Sequence, residues 1–220
     1  MSIHIRKAEE SDMERIMHVE RNSYPSQLWA PEEVLVQRMK DFGIWVAEYE
    51  GVVRGFFTCV PAKLGLSFDL ERIKKNRNPH YLPWFKYFKK GGKFDTLWVT
   101  STAVESDFQK LGIGRALVEK SLDLAKEQGL RCRASALRCE YAQFFVRTRR
   151  PIEEYIAEVK QGTEKDAFLS LYHKMDFILS YPLRNYETNP GSLNWNVLAF
   201  KNVIKLPWPE FYQNNIAKRY

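Results

Sequence analysis

The segment from Thr96 to Ala125 constrains the fold most, because a strand-like run enters a glycine-rich bend that opens directly onto an amphipathic helix. Thr96-Leu-Trp-Val-Thr-Ser-Thr-Ala-Val104 is rich in β-branched and aromatic residues and free of proline, as a packed strand is. Ile113, Leu117, Val118, Leu122 and Ala125 recur at helical spacing, and Gly129 supplies the stop. Between them, Gln109-Lys-Leu-Gly-Ile-Gly-Arg115 puts two glycines where the helix begins. A helix start carries amides without intrahelical acceptors and the positive end of the macrodipole, so glycines that admit a ligand make it an anion site.

Two other phosphate loops do not fit these residues. A Walker loop ends in Gly-Lys-Ser/Thr, whereas Gly114 is followed by Arg115-Ala116; a dinucleotide fingerprint needs a third glycine, where Leu117 stands. Gln109-x-x-Gly112-x-Gly114 resembles the acetyl-coenzyme A loop of the GNAT superfamily of N-acetyltransferases. The flanking segments follow the order of that fold. Ile3 and Ile5 alternate as a short strand, Ser11-x-x-Glu14 is a capping-box pattern before a helix with Met13, Ile16 and Met17, and a second helix begins at Pro31. Ile44–Tyr49, the Glu50-Gly51 turn and Val52–Val60 read as a hairpin, and Leu130–Leu137 as the strand after the glycine loop. Tyr172-His-Lys-Met-Asp176-Phe177 is similar to the family's Tyr-x-x-x-Gly-Phe helix end, with Asp176 in place of glycine; strands over Phe177–Leu183 and Asn194–Phe200 follow.

The resemblance implies an α/β (α+β) GNAT fold: a central mixed, mostly antiparallel seven-stranded sheet flanked by helices. One domain over residues 1–203 is expected, with insertions at about 62–95 and 139–165 and a tail over 204–220. The run from Glu154 through Leu183 to Phe200 resembles a GNAT branch found beside carbon–nitrogen hydrolase domains.

Composition bounds the alternatives. At 220 residues and 45% hydrophobic content the chain can bury one good core. Cys59, Cys132 and Cys139 lack metal-ligand spacing and, being odd in number, suggest a reducing compartment. With no apolar run near the roughly 20 residues of a membrane span, a cytoplasmic protein without a metal is expected. Most of the net charge of +7 falls in residues 62–95, nine basic residues against three acidic, interleaved with aromatics such as Trp84 and Phe88. Such a stretch suits either nucleic acid or a solvated lid; with no nucleic-acid motif beside it, the lid is preferred. Arg147-x-Arg149-Arg150 suits an acidic substrate, a CoA phosphate or water. Ile152, Ile156 and Val159 form a helical core face.

The resemblance also implies the chemistry, an acetyl transfer from acetyl-CoA to a primary amine of a small molecule or peptide by direct attack. The pyrophosphate is expected on Gln109, Lys110, Leu111, Gly112, Ile113 and Gly114, with Arg115 adding charge. Pantetheine is expected along Thr102, Ala103 and Val104, with a strand N–H near Ala103 facing the thioester carbonyl. Tyr172 stands where many members keep the tyrosine that protonates the departing thiolate. The two strand histidines of one branch correspond to Trp98 and Thr100, so the base is not assigned; Glu20 and Asp95 are candidates, and His173 points away from its neighbour Tyr172. An acyl-CoA-binding protein without turnover and a nucleic-acid-binding protein are the alternatives. A homodimer is allowed.

Overall fold

The computed structural model describes residues 2–41, 43–62 and 94–203, so most of the basic 62–95 stretch and the 204–220 tail lie outside the described residues. Alternating hydrophobicity sets the first half of one sheet. β1 (Ile3–Lys7), β2 (Ile44–Tyr49) and β3 (Val52–Ala62) pair antiparallel, and Glu50 and Gly51 join β2 to β3 with φ of 53° and 74°. Two left-handed residues give the hairpin turn whose twist matches its strands. β4 (Thr96–Val104) and β5 (Cys132–Arg138) pair in parallel, and β6 (Ile178–Arg184) and β7 (Trp195–Asn202) complete the order β1-β2-β3-β4-β5-β7-β6. The sheet is mixed and mostly antiparallel, as expected.

Helices cover both faces. α1 (Met13–Ser23) and α2 (Glu32–Asp41) bury Ile16, Val19 and Leu35 against Val46, Phe56 and Ala103. α3 (Ile113–Glu127) packs Ile113, Leu117 and Ala125 on the other face against Phe57, Leu97 and Val99. It fits because Gly55 has no side chain: a Cβ there would lie 2.9 Å from the Ala103 carbonyl oxygen and 3.0 Å from Ile113 Cγ2. Beside α3 stand α4 (Tyr141–Thr148), α5 (Ile152–Gln161) and α6 (Ala167–Lys174), with Ile152, Ile156 and Val159 in one apolar cluster with Leu169 and Tyr172.

Local chemistry explains where helices start. The box anticipated at Ser11 and Glu14 forms two residues earlier: the Glu9 N–H donates to Asp12 at 2.8 Å, and Asp12 also accepts from Arg6 at 2.6 and 2.8 Å. A carboxylate that both caps the chain and binds a guanidinium on β1 outcompetes the Ser11 hydroxyl. Asp166 caps α6 by accepting from Leu169 N–H at 2.8 Å; its other oxygen accepts from the Tyr155 hydroxyl at 2.6 Å and the Glu140 N–H at 3.0 Å. One buried side chain thereby fixes α6, and with it Tyr172, against α4 and α5. Asp176 takes φ of 58°, the left-handed conformation that glycine serves in the family pattern.

Candidate active site

β4 and β5 part company halfway along. Their pairing covers only Thr96–Trp98 against Cys132–Ala134, although both strands run on. The cause is visible on the β3 side, where Thr58 faces Ser101 and Cys59 faces Val99, leaving Thr100 unmatched. An extra residue of this kind bends its strand, here away from β5. Between the separated ends lies a cavity of about 430 Å³, lined by Thr100–Val104 and Ser135–Arg138. Volumes of this order, roughly 300 to 1,000 Å³, hold small-molecule ligands.

The separation leaves one β4 edge for a ligand. Glu105 N–H donates to the Arg54 carbonyl, so the two-residue alternation of an antiparallel ladder turns Ala103 toward β3, and Thr102 and Val104 toward the slot. The Thr102 carbonyl accepts from the Tyr24 hydroxyl at 2.7 Å, and that of Val104 from the Ser23 hydroxyl at 3.0 Å. The Thr102 and Val104 amides thus remain as the slot-facing donors. Of the strand amides near Ala103, that of Ala103 itself therefore faces β3 rather than the slot.

At the end of the slot sits the glycine loop. Lys110 and Gly112 have φ of 65° and 90°, and the first intrahelical bond runs from Ala116 N–H to the Gly112 carbonyl at 3.0 Å. The amides of Ile113, Gly114 and Arg115 are left without intrahelical acceptors at the positive end of a 15-residue helix. Glu105 braces the loop by accepting from Arg15 and Arg54, each at 2.9 Å, and bonding His18 at 3.0 Å. Burial pushes its carboxyl up, but these cationic and hydrogen-bonding partners outweigh that and hold it below the ordinary carboxylate range. Arg54 also lies 3.9 Å above the Phe108 ring, pinning the chain just before Gln109.

On the α3 face of the slot, Tyr172 is 2% exposed yet lines the cavity. Arg133, fully buried, donates from Nη2 to the Tyr172 oxygen at 2.7 Å and from Nε to the Ser121 hydroxyl at 3.1 Å. A guanidinium only donates, so the phenol accepts there and keeps its own proton for another acceptor.

The opposite face is assembled from distant segments. Tyr24 ends α1, Arg138 ends β5 with its guanidinium 4.3 Å above the Tyr24 ring, and Tyr186 and Glu187 come from the β6–β7 connection. Arg138 donates to Glu187 at 2.8 Å. Burial pushes the Tyr24 phenol up to about 12 and raises that of Tyr186, so both stay hydroxyls at neutral pH. Glu20, one helical turn before Tyr24, is fully buried and its carboxyl is pushed up to about 7 by burial, against the pull of the Ala30 N–H and of Arg38 and Arg138. The three cysteines are buried, burial pushes each thiol up to about 12, and none lines the slot.

Of the residues expected from the sequence, Thr102, Ala103, Val104, Gln109, Lys110, Gly112, Gly114, Arg115 and Tyr172 line this one cavity. Leu111 and Ile113 do not: Leu111 projects outward, 47% exposed, and the Ile113 side chain is core, leaving only its amide for a ligand. Arg115 is engaged with Glu119 at 2.9 Å. Asp95 lies at the closed end, where its carbonyl accepts from Arg131 and Cys132, and His173 is exposed. Arg147 pairs with Glu164, and Arg150 with Glu154 and Glu158. Sequence reasoning missed Tyr24, Arg133, Arg138, Tyr186 and Glu187, since no motif joins them. Among the described residues no group of His, Cys, Asp and Glu is arranged to hold a metal ion, and no helix is long and apolar enough to cross a membrane.

Comparison with known proteins agrees with this geometry. The sequence profile of the acetyltransferase (GNAT) family matches residues 12–144. A search of curated proteins by sequence gives no significant match. Similar solved structures include the loading GNATL domain of CurA from Lyngbya majuscula, with 15% identity, a TM-score of 0.75, and coverage of 92% of this chain and 98% of that one. The GphF GNAT-like decarboxylase in complex with isobutyryl-CoA has 16% identity and a TM-score of 0.72, covering 91% and 100%. The ribosomal-protein-S18-alanine N-acetyltransferase from Escherichia coli has 14% identity and a TM-score of 0.60, covering 94% and 97%. At such identities the likeness is one of fold.

Proposed function

The chain belongs to the acetyltransferase (GNAT) family, and from that premise we propose that it transfers an acetyl group from acetyl-CoA directly to a primary amine of a small molecule or peptide. The observation that carries this reading is the slot between β4 and β5, which runs from unbonded helix-start amides at one end to a polar, aromatic wall at the other. The residues present fit the cosubstrate. Gly112 and Gly114 leave the loop open, the amides of Ile113, Gly114 and Arg115 suit a pyrophosphate, and the Thr102 and Val104 edge suits an extended amide-bearing arm. Acetyl-CoA supplies the activated acyl group.

This chain's residues supply the rest. The Thr102 and Val104 amides are positioned to donate to carbonyl oxygens along the slot. Tyr172, its oxygen engaged by Arg133, holds a proton for a departing sulfur. The three cysteine thiols are kept protonated and away from the slot, which favours direct transfer over an acyl-cysteine route.

Acetyl-CoA turnover with tyramine, spermidine and an alanyl peptide, alongside calorimetric CoA binding, tests the reading. Amide formation with at least one amine is expected. CoA binding with no transfer to any of them would indicate an acyl-CoA-binding protein without turnover. Because the fold is also that of a GNAT-like decarboxylase, an acyl-CoA bearing a β-carboxylate belongs in the panel; carbon dioxide release without amide formation would overturn amine transfer.

A further inference from the structure

We propose that Glu187 is the general base of this transfer, its unengaged carboxylate oxygen taking the proton from the acceptor ammonium in the β4–β5 slot. The inference rests on the amine-transfer reading and names the residue that reading lacks. Glu187 is the only carboxylate among the described residues lining the cavity, and no described histidine lines it. Its two oxygens are in different situations. Oε1 accepts from Arg138 Nε at 2.8 Å and Asn196 Nδ2 at 3.1 Å, whereas Oε2 accepts from none of the described residues and is not fully buried. Arg138 is itself held over the Tyr24 ring, so the carboxylate is fixed by one oxygen and presents the other. At 6% exposure it has little bulk water to compete with an incoming amine.

The other candidates fail on access. Glu20 Oε1 accepts from the Ala30 N–H at 2.8 Å, and Oε2 is sealed inside the protein, outside the cavity wall. Asp95 stands where the strands are still paired. The Tyr24 and Tyr186 phenols hold their protons too tightly to serve.

The protons then balance. Glu187 takes one from the ammonium and returns it to solvent, and the neutral nitrogen attacks the thioester carbon. The C–N bond forms as the C–S bond breaks, Tyr172 gives its proton to the sulfur, and the second nitrogen proton restores the phenol. The products are the amide, CoA thiol and one released proton. Acid and base occupy opposite faces of the slot, so neither need move between steps.

Glu187→Gln retains an oxygen for Arg138 and Asn196 and removes the basic one. In the full chain, turnover with the best amine of the panel should fall about 10²- to 10⁴-fold, the general-base range, with acetyl-CoA affinity unchanged. Methoxyamine, already neutral at pH 7.5, should lose far less. Unchanged turnover overturns the proposal, as does an equal loss with both nucleophiles, which marks a structural part, or an amine-dependent loss seen in Glu20→Gln instead. A wild-type protein that acetylates no amine overturns the underlying reading, and with it the base; it is distinguished by the inactivity of the unmutated chain.

Discussion

On one side of the β4–β5 slot, the groups suited to CoA phosphates lie within the consecutive residues Gln109–Arg115, whereas the opposite side draws Tyr24, Ser101, Arg138 and Glu187 from the end of α1, β4, β5 and the β6–β7 connection. The first side works mainly through backbone amides, whose direction is set by local φ and by where a helix starts. The second works through side chains, whose reach depends on how remote elements pack. A backbone site can therefore be abolished by one side chain intruding, while a side-chain site is altered one functional group at a time.

The largest effect should come from filling the backbone site. Gly114→Asp puts a carboxylate beside Val104, where a Cβ meets nothing closer than 3.8 Å, so the fold should survive. CoA affinity should fall by roughly 100-fold or more, equivalent to about 2.7 kcal/mol, as charge and bulk oppose the pyrophosphate. Calorimetric affinity equal to wild type, with an unchanged circular dichroism spectrum, would refute the cradle. Gly112→Asp is a less clean probe, because its φ of 90° strains any other residue.

Next is the proton donor. Tyr172→Phe keeps the ring against Phe177 and removes the hydroxyl; turnover should drop by about 10- to 10⁴-fold with little change in acetyl-CoA affinity. The measurement is decisive once chemistry is shown to be slower than product release. A full rate under that condition would return Tyr172 to the core.

A third prediction concerns stability rather than rate. Glu20 titrates near 4.5 when unfolded and at about 7 when buried. Between these values the folded chain holds a proton that the unfolded chain has released, so this contribution is complete below about pH 4.5 and lost as pH rises through 7. It amounts to about 3 kcal/mol. Urea midpoints for Glu20→Gln should be flatter than wild type over this interval and higher at pH 8; parallel curves would contradict the burial effect. The smallest effect should follow Gly55→Ala. The added methyl forces α3 off β3 at a cost of about 1 to 3 kcal/mol, measurable as a lowered melting temperature, and an unchanged value would mean the helix gives way freely.

Legibility in the sequence follows the same division. The span of β4, the β2–β3 hairpin, the core face of α3 and the left-handed position at Asp176 were readable, because each is decided by residues within one element or turn. The α1 capping box was misassigned, since Asp12 gains from Arg6 on β1, a contact no local pattern contains. Which amide near Ala103 faces the slot was likewise not readable: it depends on pairing with β3, and on the unmatched Thr100 that only the register reveals.

By itself, then, the sequence determined a strand, a glycine loop and a helix start capable of holding an anion, because backbone conformation there depends on neighbouring residues. Tertiary structure alone decided that β4 and β5 separate, that Arg133 meets Tyr172 across 39 positions, and that Glu187, held by Arg138, comes to line the slot. Those features arise from packing distant elements against one another, and side-chain reach across a fold leaves no periodicity in the chain.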